Sequence, residues 1–131
     1  MNYFLILTVF ISSISFSQNN LQQDPDDLAI DYSSVDIKPE FPGGMKDFYT
    51  YIMKNFTPPD KENLKGKVII NFIIERDGTM TNMKIKDHVG FGSGEEALRV
   101  LREMSKWKPG EHSGKIVRTS YFVKINIEPS R

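Results

Sequence analysis

The sequence predicts an α+β domain: a three-stranded antiparallel sheet in the strand order 2-1-3, with two helices on one of its faces. Three observations predict it. Apolar residues recur with helical period over residues 45–56 and again over 97–104. Between them, Val68–Ile74 alternates as a strand yet is apolar on both sides, which marks a strand central in its sheet. Asp77-Gly78 then offers the left-handed backbone of a tight hairpin, so the next strand returns beside the first.

In the first helix, Met45, Phe48, Tyr49, Ile52, Met53 and Phe56 share one face, and Lys46, Asp47, Thr50, Lys54 and Asn55 the other. Phe41-Pro42-Gly43-Gly44 punctuates its start, and Pro58-Pro59 forbids its continuation. The glycine pair lacks the spacing and the Lys-Ser/Thr pair of a phosphate loop and reads as a turn.

The first strand puts Val68, Ile70, Phe72 and Ile74 on one side and Ile69, Asn71 and Ile73 on the other. The second, about Met80 to Asp87, sets Met83 and Ile85 against Asn82, Lys84 and Lys86, the alternation of a half-solvated sheet.

Ser93 and Glu96 have capping-box spacing at the start of the second helix, where Glu95 and Glu96 also suit the positive end of the dipole. Ala97, Leu98, Leu101 and Met104 form its buried stripe. Trp107 follows Met104 by three residues and continues that stripe, closing the core with its indole N–H on a carbonyl, before Pro109-Gly110 turns the chain. The third strand runs from Lys115 to Glu128, with Val117, Tyr121, Val123, Ile125 and Ile127 on one face and Arg118, Ser120, Phe122, Lys124 and Asn126 on the other. It is reached through a helix, so it runs parallel to the second strand, and the apolar first strand separates the two. The third strand is therefore an edge.

At 131 residues the chain holds one domain and a tail, and it has no cysteine, which excludes disulfides, thiolate metal sites and a lipid-bearing cysteine. Residues 1–17 carry no charged side chain, and their apolar run from Tyr3 to Phe16 spans only about 21 Å as a helix. That is short for a hydrocarbon core, and Ser15-Phe16-Ser17 before Gln18 suits a signal peptidase. The expected organisation is a signal peptide over 1–17, cut between Ser17 and Gln18, an acidic flexible segment over 18–34 and a folded domain over 35–128. Six acids and one base lie between Gln18 and Glu40, whereas residues 41–131 carry eleven acids and sixteen bases. An acidic tail thus precedes a mildly basic domain.

From Val35 to Ile127, this order of elements resembles the C-terminal domain of the energy transducer TonB, in its shorter variants. The markers are Phe41-Pro42-Gly43-Gly44, the Asp77-Gly78 hairpin, Glu96-Ala97-Leu98 and Trp107-Lys108-Pro109-Gly110. The resemblance implies a periplasmic protein-binding module linked to energy-dependent transmembrane transport. It implies that the module takes a segment of a TonB-dependent outer-membrane receptor, or of another envelope protein, as an added strand. On this sequence the gripping edge is the third strand: Val117, Arg118, Thr119, Ser120, Tyr121, Phe122, Val123, Lys124 and Ile125. Arg118 and Lys124 add attraction to acidic flanks. A proline at Tyr121 or Val123 blocks such binding if the lost N–H faces outward. The chain departs from full transducers in its signal-like start, in having no proline-rich span, and in Ser105, where the tryptophan motif often has proline.

No catalytic, metal or cofactor role is expected. His88 and His112 are the only histidines and neither has metal-ligand spacing. Nucleic acid is not an expected partner, because stacking needs aromatics interleaved with bases on one open surface. Membrane contact is expected only through the N-terminal segment, if it stays uncut. The competing function is a structural or regulatory envelope protein that touches cell-wall polymer through the basic domain.

Overall fold

A computed structural model describes Asp24 and residues 27–129. The expected signal peptide and its Ser17–Gln18 cut lie outside the described residues. The elements are β1 (Ile30–Asp31), α1 (Gly44–Asn55), β2 (Gly66–Ile74), β3 (Met80–Asp87), α2 (Ser93–Arg102), β4 (Gly110–His112), β5 (Lys115–Val117) and β6 (Thr119–Ile127). No helix among the described residues is long and apolar enough to cross a membrane.

The three long strands stand in the expected order, with β2 between β3 and β6 and antiparallel to both. The three-stranded antiparallel sheet is nevertheless a correction: the sheet has four strands and is mixed, because β1 pairs parallel with the start of β6. A two-residue strand in an acidic stretch carries no periodic signal. Its place is set by tertiary contacts, the Ile30 N–H donating to the Arg118 carbonyl and the Tyr32 N–H to that of Ser120, each at 2.9 Å. Ordered backbone thus enters the stretch expected to be flexible at its C-terminal end.

The strand expected from Lys115 to Glu128 is broken at Arg118. Its first part, β5, pairs with β4 as a separate hairpin through Ser113-Gly114, whose φ angles of 50° and 75° are those of a two-residue turn with both central residues left-handed. Arg118 marks the corner. Its guanidinium donates to both carboxylate oxygens of Glu75, at 2.7 and 2.9 Å, and to the Asp27 carbonyl. Arg118 holds the Glu75 carboxyl below the usual carboxylate range, with help from Thr81 and against partial burial. A depressed folded value means that the pair stabilises fully above the unfolded value near 4.3 and loses that contribution as pH falls through the lower folded value. Urea midpoints measured across the acid range should therefore decline more steeply in the parent protein than in Glu75→Gln.

Both helices lie on one face of the sheet. Phe48 and Ile52 from α1, and Ala97, Val100 and Leu101 from α2, join one buried cluster with Val68, Ile70, Phe72 and Ile74 of β2 and Val123, Ile125 and Ile127 of β6. The stripe of α1 is only half used, since Tyr49 and Met53 remain 40% and 70% exposed. The capping box does not form: Gly92 caps α2 with no side-chain bond. Ser93 Oγ instead accepts from the Val89 N–H, and Glu96 holds Arg99 and the Thr57 N–H.

Trp107 is 3% exposed, but it sits on an extended segment beyond α2 and not on the helix. Its indole Nε1 has no hydrogen-bond partner, contrary to expectation. Its backbone explains Gly78. The Trp107 N–H donates to the Gly78 carbonyl at 2.9 Å, and a Cβ on Gly78, where φ is 84°, would sit 1.9 Å from the Trp107 carbonyl oxygen. Two sequence markers, the hairpin and the tryptophan motif, are one contact.

Candidate protein-binding edge

The sheet ends in β3 on one side and in β6 with its short β1 cover on the other. The β3 edge suits strand addition poorly. Its register against β2 slips twice, and Asn82 takes a left-handed φ of 50°. Such bulges twist an edge out of the plane a new strand would use.

β6 is regular. It pairs with β2 without a slip from Ile74↔Thr119 to Gly66↔Ile127. The carbonyls of Arg118 and Ser120 point outward, because β1 bonds to them. Backbone groups in a strand alternate sides, so Phe122, Lys124 and Asn126 also aim their N–H and C=O outward, while Tyr121, Val123 and Ile125 aim theirs at β2. Among the described residues no strand pairs with β6 beyond Ser120 on that side.

The nine residues expected to form the gripping edge therefore divide. Val117 lies in β5, and Arg118 is spent on Glu75 and Asp27. Thr119 and Ser120 lie beside β1. Tyr121, Val123 and Ile125 turn their side chains toward the helices, and only Phe122 and Lys124 combine outward backbone with an exposed side chain on the helix-free face. Proline at Tyr121 or Val123 would thus break the β2 ladder, and the informative positions are Phe122 and Lys124.

Two walls flank the open stretch. At its start Tyr32 lies 4.2 Å from Tyr121, ring centroid to centroid, with Lys38 Nζ 5.2 Å above the Tyr32 ring. Burial, with Tyr49 and Tyr32 nearby, pushes the Tyr121 phenol well above its ordinary range, so it stays a neutral hydrogen-bonding group. On the helix side Met53, Phe56 and Pro58 face Ile125 and Ile127 across a trough of about 290 Å³. That lies just below the roughly 300–1,000 Å³ of small-molecule sites, and fits side chains better than a cofactor. Sequence reasoning missed this trough. Its signal was present, because the apolar stripe of α1 is wider than a small core can cover.

The helix-free face carries Lys67, Lys84, Lys86 and Lys124 against Asp31 and Asp87, so it is net basic. Among the described residues no three His, Cys, Asp or Glu side chains gather as a metal site. Trp107, Gly78, Gly110 and Phe41 serve the scaffold. Phe41 packs 5.5 Å from Trp107, and a Cβ on Gly110 would meet Thr119 Oγ1 at 2.6 Å. The family model described as the Gram-negative bacterial TonB protein C-terminal matches residues 60–128, from β2 through β6. No curated protein matches the chain.

Proposed function

The chain belongs to the family of Gram-negative bacterial TonB C-terminal domains, and on that premise we propose that it binds a segment of an outer-membrane receptor by strand addition along β6. The family makes it a TonB-like envelope protein tied to transport, and its domain a protein-interaction module. One observation carries the finer reading: the outward backbone groups of Phe122, Lys124 and Asn126 continue the sheet edge where β1 stops. Main-chain bonds there supply affinity, and alternate side chains supply selectivity. Ordering a flexible peptide offsets much of the gain, so the affinity is micromolar.

The test is a titration of the isotope-labelled full chain with peptides from the N-terminal segments of the host's outer-membrane receptors. Amide shifts should concentrate on Phe122–Ile127 and on Tyr32. Shifts that cluster on β3 or on the β4–β5 hairpin would remove this edge from the account.

The reading places the protein in the periplasm, with residues 1–17 removed as a signal peptide. N-terminal sequencing of the protein from its native host should begin at Gln18. Intact Met1 in the membrane fraction would make the segment an anchor instead.

A further inference from the structure

Strand addition through backbone bonds alone accepts almost any extended segment, yet β6 is bordered by two chemically different surfaces. The C-terminal part of α1 approaches the end of β6 with Met53 70% exposed, and Met53, Phe56 and Pro58 form an apolar ledge whose other wall is Ile125 and Ile127, with Asn126 and Glu128 beside them. On the opposite face stand Phe122, 54% exposed, and Lys124, within the net basic surface. Successive residues of a strand point to opposite faces of its sheet. A strand laid against Phe122–Asn126 must therefore send every second side chain to the helix side, where those beside Ile125 meet the ledge, and the others over the face of Lys124.

Resting on the strand-addition reading, we infer that the trough between α1 and β6 is a specificity pocket. The partner it selects is an extended segment in which apolar residues alternate with acidic ones. The apolar residue fills the space against Met53, Phe56 and Pro58. The acidic residue faces Lys124, with Lys67 and Lys86 on the same surface. The trough is continuous with the open backbone edge, so one segment engages both. Met53 explains the chemistry on the helix side: an unbranched thioether adapts to differently shaped apolar side chains, so the pocket selects for apolarity more than for one residue. The same contact accounts for a helix stripe that the domain's own core leaves half uncovered.

Three hexapeptides test it on the labelled full chain: alternating leucine and glutamate, serine in place of leucine, and lysine in place of glutamate. The leucine–glutamate peptide should bind most tightly, the serine peptide roughly tenfold more weakly from lost apolar burial, and the lysine peptide weakest at low salt. Met53→Ser removes an exposed side chain and leaves the core intact. It should erase the preference for leucine over serine. Equal binding of all three peptides to the Phe122, Lys124 and Asn126 amides, unaltered by Met53→Ser, would overturn the pocket while leaving strand addition standing. Absence of any shift at those amides would overturn strand addition itself. Protection of the same amides before peptide is added would assign the edge to the chain's own N-terminal segment or to a second copy, and would overturn the inference too.

Discussion

Replacing Trp107 with alanine lowers the unfolding free energy by about 3–5 kcal/mol, in the range of other large aromatic truncations. The indole is 3% exposed and is enclosed by rings from separate parts of the chain: Phe48 at 4.9 Å, Phe41 at 5.5 Å, Phe72 at 6.2 Å and Tyr121 at 6.4 Å between centroids. Removing it leaves a cavity where α1, β2 and β6 meet, and the rings around it cannot collapse together because Phe48, Phe72 and Tyr121 are held by these three elements and Phe41 by the segment before α1. Nε1 is buried without a partner, so the substitution also removes a desolvated donor. That gain places the cost toward the lower half of the range. Trp107→Phe, which keeps most of the ring contact, should cost less than about 2 kcal/mol. Urea titrations followed by far-ultraviolet circular dichroism measure both, since the alanine variant has lost the only tryptophan. An unchanged midpoint in Trp107→Ala would contradict the core role.

Proline at Lys124 and proline at Val123 should behave as opposites, although the positions are adjacent. The Val123 N–H points to β2 and its side chain is fully buried, so Val123→Pro breaks the central ladder and the core together. It should cost about 3 kcal/mol or more and leave little folded protein. Lys124 aims its N–H outward from an exposed position, where proline is tolerated at a sheet edge. Lys124→Pro should lose less than about 1 kcal/mol of stability. It removes one main-chain donor and the lysine charge, and bends the edge a partner must match. Binding of a receptor peptide should fall at least tenfold, against a smaller fall for Lys124→Ala, which keeps the donor. Equal losses in the two Lys124 variants would show that charge alone, and not strand pairing, carries the binding.

The parts of this fold that were legible in the sequence are those whose signal is local and periodic. β2 is apolar on both faces, and it is the centre of the sheet. Asp77-Gly78 joins β2 to β3. The apolar stripes of α1 and α2 set both helices against the same face. What escaped has no period to read. β1 is two residues long and is held by the carbonyls of Arg118 and Ser120. The β4–β5 hairpin did have a signal, Ser113-Gly114, but the alternation of Val117 with Tyr121 and Val123 hides the corner at Arg118. The site was legible as an edge strand and no further. Which residues aim their backbone outward depends on pairing parity, and parity is settled by β1 and β2 together. The trough depends on how α1 lies across β6, which no single segment encodes.

Amide hydrogen exchange along β6, with and without a receptor-derived peptide, shows whether the partner adds as a strand to this edge. Before peptide, Tyr121, Val123 and Ile125 should already be protected by β2, while Phe122, Lys124 and Asn126 exchange freely. Saturation with peptide should slow those three and leave the rest of the strand as it was. If Phe122, Lys124 and Asn126 continue to exchange freely with peptide bound, and protection appears elsewhere, then β6 is not the surface that holds the partner.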